Sequence, residues 1–521
     1  MVSILTYTLL AIPGSGVGSG LQTVSTVTSI ASPGDLDDYY AIIRSDQRLC
    51  GGFVWEWCDH AVQHGFTDDG RPIFTYGGDH GEDIHDGNFC MDGLVYPDRR
   101  PHTGLLEFAN VHRPVRVDAF DQATGEVTLV NDLDFTDLCG HVDVTYRVLQ
   151  DGAEISRGEV PITDSVPPHG RHDTHLDLTV PPQGRCHVVV EYHLAGAVPM
   201  LETGHALGFD EIELTNSDPR PARVRKVVDS VAWGPAPTLT EDDTTVVVAG
   251  RGFTYSFDRR TGLLSSMAAA GRTLLVRPAE FNVWRAPTDN DRKIRLEWER
   301  AKYDLAYARA YGVTAKAGEG AVTVQAHGGI VAPTVQPILR TDTTWTVHPD
   351  GRLDLDVQAH RDTAFPYLPR FGMRLFLSPE LERVTYYGMG PQESYVDKRH
   401  AARHGEFAAS VWDLHEDYTR PQENGSHHDT SFVTLTSVDA DGAAFTAAAA
   451  TPFSFNASAY TQEELTRARH NVDLVPAGAT VLCLDHAHCG IGSASCGPEL
   501  APQYRVDADA FRFTLTLTPS R

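Results

Sequence analysis

Two periodicities divide the chain. Upstream of Val115 apolar residues recur at helical spacing or gather in short runs, whereas beyond it most alternate with polar residues at period two. Leu36, Tyr39, Tyr40 and Ile43 fall at i, i+3, i+4 and i+7, one stripe of a helix. Ser32-Pro33-Gly34-Asp35 offers an N-cap serine, proline at the first helical position and a carboxylate three residues on. The helix is expected to start there and end near Asp46. Cys50 to Trp57 is nearly all apolar, which suits a strand buried on both faces, with Phe53, Trp55 and Trp57 sharing one face. Gly65 to Asp92 is rich in glycine and aspartate and reads as one long loop, a class that is usually functional or disordered. Pro101 to about Asn110 signals a second helix that turns Leu105, Leu106 and Ala109 inward.

The alternating region is punctuated by turn dipeptides. Val142 to Leu149 precedes Asp151-Gly152, and Trp345 to Val347 precedes Asp350-Gly351, so each predicts a hairpin. Phe253, Tyr255 and Phe257, and again Phe511, Phe513, Leu515 and Leu517, mark half-buried strands. Trp233-Gly234-Pro235-Ala236-Pro237 separates a stretch the size of one immunoglobulin-like sandwich from a longer β region. Residues 1–32 carry no charge, and Gly14 to Gly20 alternates glycine with serine or valine, a linker-like composition.

Charge narrows the partners. The 521 residues hold 43 basic against 70 acidic side chains, a net charge of −27, which repels phosphate backbones and anionic membranes. Nucleic acid and membrane are therefore not expected. Eight cysteines in so long a chain are too sparse for a disulfide scaffold and predict reduced thiols and a cytoplasmic setting. The apolar run Ile4 to Ile12 lacks a preceding basic residue and a clear cleavage site, so it is not read as a secretion signal.

Chemistry concentrates between Phe53 and Asp92. Indoles at Trp55 and Trp57 offer flat apolar faces for a sugar ring, and the adjacent carboxylates suit its hydroxyls; the alternative is that both tryptophans are core aromatics. Asp79, His80, Glu82, Asp83, His85, Asp86 and Asp92 can offer oxygen to a hard cation such as Na⁺ or Mg²⁺, or form a solvated acidic loop. No His-Glu-x-x-His is present. Cys483, His486, His488, Cys489 and Cys496 lack paired Cys-x₂-Cys spacing and are expected to serve packing rather than metal.

Several ordered stretches resemble the large, five-domain β-galactosidases of the retaining glycoside hydrolase family 2. They are Gly51-Gly52-Phe53-Val54-Trp55-Glu56-Trp57, Asn88-Phe89-Cys90-Met91-Asp92-Gly93-Leu94-Val95, Arg99-Arg100-Pro101-His102, Trp284-Arg285-Ala286-Pro287-Thr288-Asp289-Asn290-Asp291, Tyr387 to Tyr395 and Pro421-Gln422-Glu423-Asn424-Gly425. The resemblance implies a mainly β chain in four parts. Residues 1–32 are a linker-like segment outside the family, and 33–113 the remnant of a truncated (β/α)₈ barrel. Residues 114–235 are an immunoglobulin-like β-sandwich, and 236–521 the large galactosidase-type β-sandwich. It further implies hydrolysis of terminal β-D-galactosides such as lactose, with Mg²⁺ and Na⁺ as cofactors. Trp55, Phe89 and Asp86 would line the sugar pocket, and Asp92 with Phe89 would hold a cation.

The same resemblance exposes two departures. Cys496 stands where the family often places a tryptophan platform, so stacking on the leaving group is expected to be weak. Retaining hydrolysis needs two carboxyl groups ~5 Å apart, and neither the nucleophile motif nor the acid/base motif of the family occurs in the sequence. No catalytic residue is assigned; Glu56 and Asp92 are not expected to replace the pair, and the chain alone is expected to be inactive. The implied partners are a β-galactoside, an N-terminal galactosidase chain, and further subunits in a homo- or hetero-oligomer. The alternatives are a non-catalytic small subunit or a galactose-binding partner.

Overall fold

The computed structural model describes residues 34–46, 48–49, 51–52, 54, 56–438, 442–492 and 498–520. Its architecture is mainly β, as expected: a segment from the end of a barrel, a sandwich, and a large β domain.

The first segment holds two helices, α1 (Leu36–Ser45) and α2 (Thr103–Val111). The α1 stripe is real: Leu36 and Ile43 are buried and meet Leu94 and Val111, with Tyr40 and Phe89 beside them. Its start differs from the expectation. Asp35, at φ 53°, is the residue before the first turn, and Ser32 and Pro33 lie outside the described residues. The inward face of α2 is also corrected, because Leu106 and Ala109 are exposed while Thr103, Glu107, Asn110 and Val111 are buried. That face is polar because it docks on backbone: Glu107 accepts the amides of Arg399 (3.2 Å) and Ala401 (2.7 Å).

The expected strand at Cys50 to Trp57 falls partly outside the described residues, beginning with Cys50. Phe53 and Trp55 lie outside the described residues, and Trp57 is 61% exposed rather than buried. A short parallel pairing does survive just after it. Glu56 N–H donates to Asp92 O, Leu94 N–H to Glu56 O, Val95 N–H to Trp57 O and Asp59 N–H to Val95 O, all within 3.2 Å. The long loop contains a hairpin that periodicity did not indicate, Val62–Phe66 with Pro72–Thr75.

Alternation governs the rest. The sandwich packs a three-stranded sheet (Val115–Asp121, Glu126–Asn131, Arg171–His175) against a four-stranded one (Ala153–Val160, Val142–Gln150, Cys186–Leu194, Ala206–Leu214). Val127, Leu129, Val148, Val188, Val190 and Tyr192 fill the space between. Asp151 at φ 51° and Gly152 at φ 83° make the primed turn that joins the predicted hairpin. A short helix, α3 (Ala222–Val228), then sets Val224 against Tyr387, Phe432 and Ala448 of the large domain.

The large domain combines a five-stranded sheet, Thr238–Glu241 to Arg272–Thr273, with a twelve-stranded one. In the latter the last strand, Ala510–Ser520, sits centrally between Leu353–Arg361 and Ala444–Ser458. Strands Leu275–Asn282 and Tyr307–Ala317, at opposite ends of the pairing order, return into contact and bring the sheet close to a closed barrel. Buried Trp298 and Trp345 anchor the interior, each donating its indole N–H to a carbonyl, Tyr367 O (2.9 Å) and Gly262 O (3.1 Å). Among the described residues no helix is long and apolar enough to cross a membrane.

Candidate functional site

Asp92 ends the acidic loop and is held by the parallel pairing to Glu56. Its side chain is buried, and neither carboxylate oxygen has a hydrogen-bond partner. Burial, and then the charges of Glu56 and Asp59, push its pKa up to about 7. Asp59 is by contrast fully engaged, accepting Gly93 N–H (2.8 Å) and pairing with His102 Nε2 (2.9 Å), which stacks on Tyr96. Gly93 is required for this approach, since a Cβ there would lie 2.1 Å from Asp59 N. Glu56 itself turns to His60, 2.7 Å away.

Three residues earlier, Phe89 is half-buried under the Arg292 guanidinium at 5.1 Å from its ring centroid. Asn88 donates to Asp289 Oδ1 (2.6 Å), tying the loop to the large domain. Asp86 is exposed and its carbonyl accepts Phe89 N–H (3.2 Å), closing the turn. Asp86, Phe89 and Asp92 thus follow one another along a single stretch of turns, closed by Phe89 N–H to Asp86 O and Met91 N–H to Asn88 O. Trp55 and Cys496 fall outside the described residues.

The other loop acids do not converge on an ion. Asp79 pairs with His470 (2.7 Å) and accepts Tyr76 N–H, while Glu82 accepts the amides of Gly78 and His80. Of the cysteines and histidines near the C-terminus, Cys483, Cys489 and His488 are buried, and Cys496 lies outside the described residues. Burial pushes Cys483 and Cys489 up to about 12, and His486 stacks on Phe511 at 4.6 Å.

A buried ionic seam is built in part from the quoted stretches. Arg285 is bidentate to Asp291 (3.0 and 2.6 Å) and also donates to the carbonyls of Cys489 and Gly490. Asp397 accepts the amides of Ile491 (3.0 Å) and Gly492 (2.8 Å), and its own carbonyl accepts Asp35 N–H. Glu423 and Asp485 flank Arg370. Glu393 takes Lys398 Nζ (2.6 Å), Thr103 Oγ1 (3.0 Å), Tyr418 OH (2.6 Å) and Gly425 N–H (2.8 Å). Glu393 and Lys398 through Thr103, and Asp397 through Asp35, clamp the barrel segment onto the large domain, whereas the Arg285 and Arg370 pairs brace the large domain itself. Arg370, Asp397, Lys398 and Asp485 gave no signal in the sequence, where each looks like any charged residue of a strand or turn.

Comparison with known proteins follows the same three parts. Residues 21–117 match the family described as "Glycosyl hydrolases family 2, TIM barrel domain", 127–215 "Beta-galactosidase, domain 4", and 249–517 "Beta galactosidase small chain". The beta-galactosidase of Actinobacillus pleuropneumoniae is 39% identical over 489 residues, covering 93% of this chain and 46% of that protein. That of Staphylococcus xylosus is 36% identical over 490 residues, with 93% and 48% covered. The chain thus spans about half the length of the curated relatives it matches. Among solved structures, a GalM/aldose epimerase homologue from C. elegans aligns over 55% of this chain and 99% of its own, at 10% identity and a TM-score of 0.31, a likeness too slight to define a fold.

Proposed function

The chain belongs to the β-galactosidase small-chain family within glycoside hydrolase family 2, and from that premise we propose that it supplies one wall of a β-galactoside-hydrolysing site whose two catalytic carboxyls come from an upstream barrel segment, joined or separate. The observation that carries this reading is Asp92: a buried carboxylate with no hydrogen-bond partner, beside Glu56 and Asp59, is a place where positive charge is missing. A hard cation fits that deficit, and Asp92 with Phe89 would hold it; bound there, it supplies charge balance and a ligand position for a sugar hydroxyl. Of the remaining loop acids, Asp79 is engaged with His470 and Tyr76 N–H and Glu82 with the amides of Gly78 and His80.

The chain's own groups do the rest. Phe89, fixed under Arg292, excludes water from one side of the sugar, and the exposed Asp86 accepts from its hydroxyls. Neither Glu56, paired with His60, nor Asp92 is assigned an attacking or proton-donating role. The relatives' printed name, beta-galactosidase, supports the substrate class, and the printed "small chain" supports a subunit that completes another polypeptide.

The test mixes the purified chain with a polypeptide carrying the upstream barrel of a β-galactosidase and follows release from a chromogenic β-galactoside. Hydrolysis by the complex and none by either part is the expected result. Turnover by this chain alone, abolished by Glu56→Gln, would place the catalytic carboxylates here and overturn the proposal. So would a mixture that neither associates nor turns over.

A further inference from the structure

A second constellation lies where the sandwich meets the large domain, away from Asp92. Period two puts Cys186, Val188, Val190 and Tyr192 into the sandwich core and turns His187 to the outer face of its sheet. His187 pairs across with Glu213, and Val189 with Glu211, so His187 and Glu211 are diagonal neighbours on that outer face. The large domain covers them with His404, on the strand Arg403–Ser410. One ligand atom from each of His187, Glu211 and His404 lies within 4.8 Å of the others, the one such set among the described residues.

Hydrogen bonding sorts the three. His404 Nδ1 meets Glu211 Oε2 (2.7 Å), and its Nε2 meets Asp429 Oδ2 (2.9 Å), which Arg185 grips in turn (2.6 Å). Glu211 Oε1 separately accepts His404 backbone N–H (2.8 Å). His187 is 1% exposed and stacks on His404 at 4.4 Å, yet neither of its ring nitrogens has a partner. A buried imidazole with two unsatisfied nitrogens costs free energy unless something ligates it.

We propose that His187, Glu211 and His404 form a binding site for a divalent transition-metal cation of the zinc class, which pins the sandwich to the large domain. Two imidazoles and one carboxylate are a donor set that suits zinc, cobalt or nickel rather than Mg²⁺. Asp429 then holds His404 through its far nitrogen, the carboxylate–histidine–metal arrangement that orients a ligand. Closure is modest. Ligand atoms of a tetrahedral zinc site lie roughly 3.3 Å apart, given bonds of about 2.0 Å, so the 4.8 Å set must contract while His404 Nδ1 and Glu211 Oε2, now 2.7 Å apart, open to admit the ion. The ion takes the place of the proton between His404 Nδ1 and Glu211, which is released. His187, Glu211 and His404 line a cavity of about 290 Å³ together with Arg399, His400 and His428, which leaves room for a solvent ligand. None of this depends on the galactosidase reading.

The experiment strips the full-length chain with a chelator, titrates it with Zn²⁺ by calorimetry, and counts retained zinc after gel filtration. It runs in parallel on His187→Phe, which keeps the stacked ring but loses both nitrogens, and on Asp429→Asn. One tightly held equivalent is expected in the wild type, with a loss of about a hundredfold or more in affinity for His187→Phe and about 10–100-fold for Asp429→Asn. Co²⁺ in the wild type should show the absorption of a four- or five-coordinate ion, absent in His187→Phe. Equal zinc in wild type and His187→Phe would overturn the site, because other thiols and histidines would account for it. Failure of the wild type to retain zinc would overturn it as well.

Discussion

The clamp between barrel segment and large domain predicts a large effect from one atom exchange, Glu393→Gln. Lys398 and Glu393 have side chains 0% and 3% exposed, with Nζ and Oε1 2.6 Å apart. At an effective dielectric of about 20, that distance corresponds to a gross attraction of about 6 kcal/mol, most of which offsets desolvation. The amide preserves shape but leaves the ammonium buried without a counter-charge, which costs about 3–5 kcal/mol. Lys398→Met should cost about as much, since the carboxylate is stranded in turn, and the double variant should cost at least 2 kcal/mol less than the two summed. A chain of several domains does not unfold in one step, so the readout is amide hydrogen exchange across Thr103–Val111, supported by the melting temperature. Thr103 is the first residue of α2 and bonds both partners, so its helix should lose protection first. Single variants costing under 1 kcal/mol, or a strictly additive double, would refute the reasoning.

Further expectations follow from neighbouring groups. Glu423 is buried; Arg370 and His488 overcome the penalty of burial and hold its pKa down at about 2 against an ordinary 4.5. Its folded pKa being the lower, its contribution of about 3 kcal/mol is present above pH ~4.5 and lost as pH falls toward 2. Acid unfolding followed by circular dichroism should therefore lose this limb in Glu423→Gln. Glu107→Ala strands the amides of Arg399 and Ala401 and should destabilise by about 2–4 kcal/mol in denaturant titration, where an unchanged midpoint would contradict the docking role. Gly93→Ala forces a Cβ onto Asp59 N and should part Asp92–Val95 from Glu56–Asp59, visible as faster exchange at Leu94 and Val95.

How much was legible beforehand varied with range. Period two found the strands around Phe253, Tyr146 and Phe513, and Asp-Gly found both hairpin turns, because turn chemistry and strand alternation are properties of a few consecutive residues. Helix α2 forms where the sequence indicates, but of its three expected inward residues only Leu105 packs inside. Amphipathic reasoning turns leucine inward, whereas this helix covers bare amides and so buries glutamate and asparagine. The nearly all-apolar run before Glu56 suggests a buried strand, yet Trp57 is exposed, and among the described residues of the run the pairing is that of Glu56 and Trp57 with Asp92, Leu94 and Val95. Phe89 and Asp92 were reached through likeness of motif alone; nothing in spacing distinguishes Asp92 from the other acids of its loop.

What the residues decide unaided is therefore local: where strands alternate, where the chain turns, where one domain's composition yields to the next. Which charges become buried is decided elsewhere. Asp92 lacks a partner while Asp59 has two, and His187 meets His404 from a strand more than two hundred positions away. A charged side chain carries no mark of its later surroundings. Its ionisation and its need for a ligand are set by the low-dielectric contacts that separate domains make only once packed.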